Sequence, residues 1–110
     1  MSEFLYLYRN GEKLSPEQMQ QQMGRWMAWM KELEGKGVLK NVGHPLERSG
    51  VLVSGAKRTV TDGLFAEAKD IIGGYSIVEA KNLEHAVELT AGCPIFAVGG
   101  GVEVRPIMKM

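Results

Sequence analysis

Glu3-Phe4-Leu5-Tyr6-Leu7-Tyr8-Arg9 is a run rich in aromatic and aliphatic side chains that stops at Asn10-Gly11, and Ser15-Pro16-Glu17-Gln18 then opens something different. The first run reads as a strand, because large rings suit a pleated surface and Asn-Gly ends it with a turn. The second is a helix start. The Ser15 hydroxyl can take a free amide, Pro16 suits the first helical position, and Gln18 stands where a capping box needs it. Met19, Met23, Trp26, Met27, Met30 and Leu33 recur at helical spacing. They are expected to form the buried stripe, with Trp29 at its edge. Gly35 and Gly37 supply the stop.

Working outward, residues 37–43 read as a second strand that ends near His44-Pro45. Residues 50–54 read as a third. Residues 58–61 either continue it or form a strand of their own, and Asp62-Gly63 turns the chain. Residues 74–80 are a strand after a Gly-Gly break, which is expected to be a β-bulge. Asn82 caps a second helix with Leu83, Ala86, Val87 and Thr90 on one side, ended by Gly92-Cys93-Pro94. Residues 102–107 alternate apolar and polar, so the last strand has one buried face, with Pro106 at a sheet edge or at the strand's end. The order gives an α+β fold: a ferredoxin-like split βαβ with an antiparallel sheet and an extra hairpin, in a single domain spanning 1–110. Helices cover one sheet face, and the other needs a partner.

Composition narrows the function classes. Of 110 residues, 45% are hydrophobic and 24% charged, which fits a globular chain rather than a disordered one. Thirteen basic residues balance thirteen acidic ones, so the basic footprint of a nucleic-acid binder is missing. The single cysteine excludes an intrachain disulfide and fits a reducing compartment. No run reaches membrane-spanning length and the N-terminus does not resemble a signal peptide, so the expected location is the cytoplasm.

The candidate chemistry is thinly spread. Asp62 either shapes its turn or acts as a carboxylate base at a cleft rim. His44 is the better placed histidine for proton transfer; His85, beside Glu84 and Glu88, is expected to face solvent. Phe65 is a core residue or a pocket wall, and Glu67 is ion-paired or a cleft acid. Lys69 is weighed with Glu67 as a charge that solvent or an ion pair satisfies. Tyr75 offers a hydroxyl, and Arg105 a planar fork for an anion or for pairing with Glu103 or Glu79. Trp26 and Trp29 are candidate walls of an apolar pocket. Two scattered histidines and one cysteine make no metal set, so neither metal nor cofactor is expected. Cys93 lies near a helix C-terminus, the wrong end for a reactive thiolate. Gly99-Gly100-Gly101 lacks the features of a phosphate loop and reads as a flexible connection.

The runs Asp62-Gly63-Leu64-Phe65-Ala66-Glu67-Ala68-Lys69-Asp70 and Ile72-Gly73-Gly74-Tyr75-Ser76-Ile77-Val78-Glu79-Ala80 resemble the YCII-related family, in its DGPF-domain branch. Gly92-Cys93-Pro94-Ile95 and residues 102–107 resemble the same branch. The resemblance implies a dimeric α+β barrel, with sheet packed on sheet and a cleft between sheet and helices. Leu64 stands where the branch has proline, which frees the backbone there. The histidine that some relatives carry on the first helix, proposed to pair with an aspartate, has no counterpart between Ser15 and Gly37. The resulting expectation is a homodimer that binds a small organic molecule, with Asp62 or His44 for metal-independent acid–base chemistry. Its alternative is a non-catalytic dimeric interaction or regulatory module.

Overall fold

The structure, a computed structural model, describes residues 1–11, 13–62 and 71–110, with the Asp62 side chain outside that description. The chain runs β1 (Ser2–Arg9), α1 (Pro16–Gly35), β2 (Leu39–Asn41), β3 (Val51–Ser54), β4 (Thr59–Asp62) and β5 (Ile72–Ala80). It then continues through α2 (Leu83–Glu88), two 3₁₀ turns (Leu89–Gly92 and Pro94–Val98) and β6 (Gly101–Pro106). Four strands form one sheet in the order β2-β5-β1-β6, all pairs antiparallel. This is the expected α+β, ferredoxin-like arrangement, with β3 and β4 as a separate hairpin.

The helix start is as its sequence dictates. Gln18 N–H donates to the Ser15 hydroxyl at 3.2 Å, and Ser15 N–H donates to the Gln18 side chain at 2.9 Å. Burial alternates cleanly along β1 and β5, so the period of two selects the core face. Phe4, Tyr6, Tyr8, Val78 and Ala80 face the helices, and Leu5, Leu7, Tyr75 and Ile77 face the other way.

The helical stripe differs from the expected one. Gln22, Trp29 and Leu33 are the buried residues of α1, with Trp26 and Met30 packed against the core. Met19, Met23 and Met27 stand in solvent, each more than half exposed. The reason lies in what the sheet offers. Trp29 stacks on Tyr6 at 6.2 Å between ring centroids and meets Tyr8 edge-on at 6.1 Å, while its indole N–H donates to Leu89 O at 3.4 Å. A large ring with a satisfied polar atom wins the central position over flexible methionines. Gln22 is accepted into this stripe because its amide donates to the carbonyl of Pro94 at 3.1 Å.

On α2, Ala86 is buried whereas Leu83 and Val87 are exposed, contrary to the expected face. The α-helix closes at Glu88 and tightens into a 3₁₀ turn that buries Leu89 together with Thr90, the latter, like Ala86, as expected. Asn82 caps the helix as expected, accepting from His85 N–H at 2.8 Å. The bulge also forms. Tyr8 pairs with Gly74 and Arg9 with Ile72, leaving Gly73 as the extra residue.

The β3–β4 hairpin stands apart. Its pairs run from Val51 with Asp62 to Ser54 with Thr59, and Val51, Leu52, Val53 and Val60 are all exposed. A lone two-stranded hairpin is marginal by itself, so this arm lacks cover within the described chain.

Candidate functional site

Four separate pieces of chain meet at the C-terminal end of β1, on the helix side of the sheet. They enclose a cleft of about 260 Å³. Asn10, Gly11, Lys13 and Leu14 come from the β1–α1 connection. The first turns of α1 add Met19, Gln22 and Trp26. Leu46 and Arg48 come from the link between β2 and β3, and Ile95 and Val98 from the second 3₁₀ turn.

Main-chain packing makes the floor. A side chain on Gly11 would collide with the backbone of Val98, Gly99 and Gly100. One on Gly100 would meet Arg9 O and Ile95 Cγ1, each at 2.6 Å. Glycine is required at both because two backbones touch there. Within the Gly99–Gly101 segment, read from composition as a flexible connection, Gly100 is therefore a close-packed joint, while Gly99 and Gly101 have open space around them. Gly100 N–H donates to Ile95 O at 3.0 Å and fixes the joint.

The aromatic wall is held by neighbouring rings. Trp26 meets Tyr8 edge-on at 4.7 Å and Trp29 edge-on at 5.7 Å. Its ring is held from behind by these two contacts. The opposite wall is tied to the sheet. Leu46 N–H donates to Gly73 O at 2.8 Å, and Pro45 bridges Gly74. Upstream, Gly43 adopts φ 72° against the carbonyl of Tyr75, a position no side chain can share. Arg48 has a partner of its own within the protein.

Of the residues singled out in the sequence, Trp26 lines this cleft. Trp29 lies directly behind it, buried. Tyr75 and Arg105 are on the other sheet face, where Tyr75 pairs with Leu7 and Arg105 with Leu5. Arg105 reaches Glu103 at 3.4 Å. His44 is exposed and meets the Tyr75 ring edge-on at 6.1 Å, so it joins Tyr75 rather than the cleft. Asp62 closes β4 by its backbone; its side chain, with Leu64, Phe65, Glu67 and Lys69, lies outside the described residues. Asn10, Lys13, Leu46 and Arg48 carried no motif. For Asn10 and Lys13 the nearest sequence signal is Gly11, which packs against Gly100; for Leu46 and Arg48 it is Gly73-Gly74, against which the 45–46 segment is bonded.

The buried ionisable groups are quiet. Burial pushes the Cys93 thiol up to about 11, against a weaker lowering by the Ile95 backbone. Burial also raises Tyr6 and Tyr8. The Tyr6 hydroxyl donates to Ala86 O. The Ser76 hydroxyl lies beside Tyr8 but donates to Val42 O at 2.6 Å, and the Tyr8 hydroxyl has no hydrogen-bond partner among the described residues. These groups stay protonated near neutrality and serve packing, not proton transfer. No described residue lining the cleft is a carboxylate or a histidine.

The family model of the YCII-related domain matches residues 1–110. The chain belongs to the YCII-related domain family. A comparison with curated proteins finds no match. In this YCII-related chain, no group of three or more His, Cys, Asp or Glu is gathered for a metal among the described residues. No described helix is long and apolar enough to cross a membrane.

Proposed function

We propose that this protein, from the DGPF branch of the YCII-related family, is a homodimer that binds a small organic molecule in the cleft beside Trp26. Asp62-Gly63 with Phe65, together with the β5 sequence, supports the branch. The single cysteine supports a cytoplasmic setting. The observation that carries the binding reading is the Trp26 ring, held from behind, in a cleft of about 260 Å³. That size lies near the lower end of ordinary ligand sites, roughly 300–1,000 Å³. The ligand is therefore small. Binding, rather than proton transfer, is the function this lining supports.

The open sheet face supports the dimer. Leu5, Leu7, Tyr75 and Ile77 form an apolar centre. At one end Lys40 sits 3.9 Å from Glu3 and 3.6 Å from Glu79, one cation with two anions. At the other, Glu103 sits 2.9 Å from Arg9 and 3.4 Å from Arg105, one anion with two cations. A two-fold stacking that sets one end over the other matches charge to charge around an apolar core. Sedimentation of wild type and Ile77→Lys tests it: a dimer that the lysine dissociates is expected, and a wild-type monomer at 100 μM refutes it.

A thermal-shift screen of small organic fragments tests the cleft, with Val98→Phe as the filled variant. Ligands that stabilise wild type and lose their effect on Val98→Phe are expected. Hits indifferent to the filling refute the site. The exposed β3–β4 hairpin favours a second reading, a non-catalytic interaction module. A blank screen, with a stoichiometric protein partner lost on shortening the hairpin, supports that reading instead.

A further inference from the structure

The geometry points to a ligand class for this cleft: a monocyclic organic anion, its ring against Trp26 and its charged group toward Lys13. The inference rests on the cleft reading above. Three observations carry it. First, Lys13 is the cleft's uncommitted cation, since among the described residues no carboxylate pairs with it. Second, the cleft runs along the first turns of α1, at the positive end of a 20-residue helix. Third, no described lining residue is acidic, so none of the described residues competes with a bound anion. Arg48 is counted as wall only, because it already has a partner.

Size and wall chemistry fix the rest. About 260 Å³ holds one ring with a short substituent more readily than a fused system. Leu46 and Val98 supply apolar contact for the ring's edges, and Asn10 and Gln22 supply polar atoms for a substituent. Of the Gln22 amide, the nitrogen is engaged by Pro94 O, which leaves its oxygen as an acceptor. An aromatic carboxylate bearing a hydroxyl matches this set: carboxylate to Lys13, ring to Trp26, hydroxyl to Asn10 or Gln22. Lys13 is exposed, so its contribution is screened by salt.

Benzoate and benzamide are the probes, equal in shape and different in charge. Their binding is read by Trp26 fluorescence in a Trp29→Phe background and, independently, by calorimetry on wild type. Benzoate is expected to bind at least about tenfold tighter than benzamide at low salt. Lys13→Gln is expected to erase most of that ratio, and so is 0.5 M NaCl. Equal affinities for the two probes, or a ratio untouched by Lys13→Gln, overturn the anion assignment while leaving the cleft intact. No binding of either probe overturns it too. Whether the cleft reading then survives is decided separately, by fragments sensitive to Val98→Phe.

Discussion

Gly43→Ala is the substitution whose cost can be worked out most fully. Its φ of 72° lies in the left-handed region, where a side chain costs about 1–2 kcal/mol. The added carbon would also overlap the Tyr75 carbonyl oxygen, with Tyr75 C at 2.6 Å and Cδ2 at 3.0 Å. Tyr75 sits in β5, between two other strands, so the 42–46 segment must move instead. That movement threatens three hydrogen bonds: Ser76 hydroxyl to Val42 O at 2.6 Å, Tyr75 N–H to His44 O at 3.3 Å and Leu46 N–H to Gly73 O at 2.8 Å. At about 1 kcal/mol each, the total reaches about 4–5 kcal/mol, a large part of a small domain's stability. Gly37→Ala is the internal control. It has nearly the same φ, 73°, with nothing within 4 Å of the new carbon, so it costs the backbone term alone. Urea unfolding of both variants at matched protein concentration separates the two contributions. A difference under about 0.5 kcal/mol between them would refute the steric argument.

The two faces of α1 predict opposite responses. Leu33→Ala removes a fully buried side chain and is expected to cost about 2–5 kcal/mol, whereas Met23→Ala, on the exposed ridge, should stay within about 0.5 kcal/mol; equal costs in urea unfolding would contradict the burial pattern. Cys93 should react with a disulfide reagent only on unfolding, because its thiol is buried and stays protonated. Its folded pKa of about 11 exceeds the unfolded value near 9.0, so its contribution is whole below pH 9 and lost as pH rises toward 11. Cys93→Ala should flatten that part of the stability–pH curve; an unchanged slope would exclude the thiol as a cause.

The local signals in this sequence were the legible ones. The capping box at Ser15, the cap at Asn82 and the period of two in β1 and β5 depend on neighbours a few residues away. The stripe of α1 was legible only in part: Trp26, Met30 and Leu33 pack inward as their spacing implies, while Met19, Met23 and Met27 do not. Its buried side reads Gln22, Trp26, Trp29, Leu33, and its exposed ridge reads Met19, Met23, Met27. Hydropathy favours the ridge, and only the Pro94 carbonyl, distant in sequence, explains why glutamine is inside. The faces of Tyr75 and Arg105 depend on strand register, which residue type does not encode. Lys13 and Leu46 come together only when four loops meet, so no motif spans them.

The floor of the cleft has a consequence for how this protein can change. Gly11 lines it with main chain and packs against Gly100 behind it, and neither position accepts a side chain. Substitution cannot reshape that surface without pulling two loops apart. Changes in the shape of the cleft must therefore arise at the walls, at Lys13, Trp26, Leu46 and Val98, which sit on different elements and can vary one at a time. The pocket is divided into an invariable base and an adjustable rim, which makes it a practical starting point for redesign.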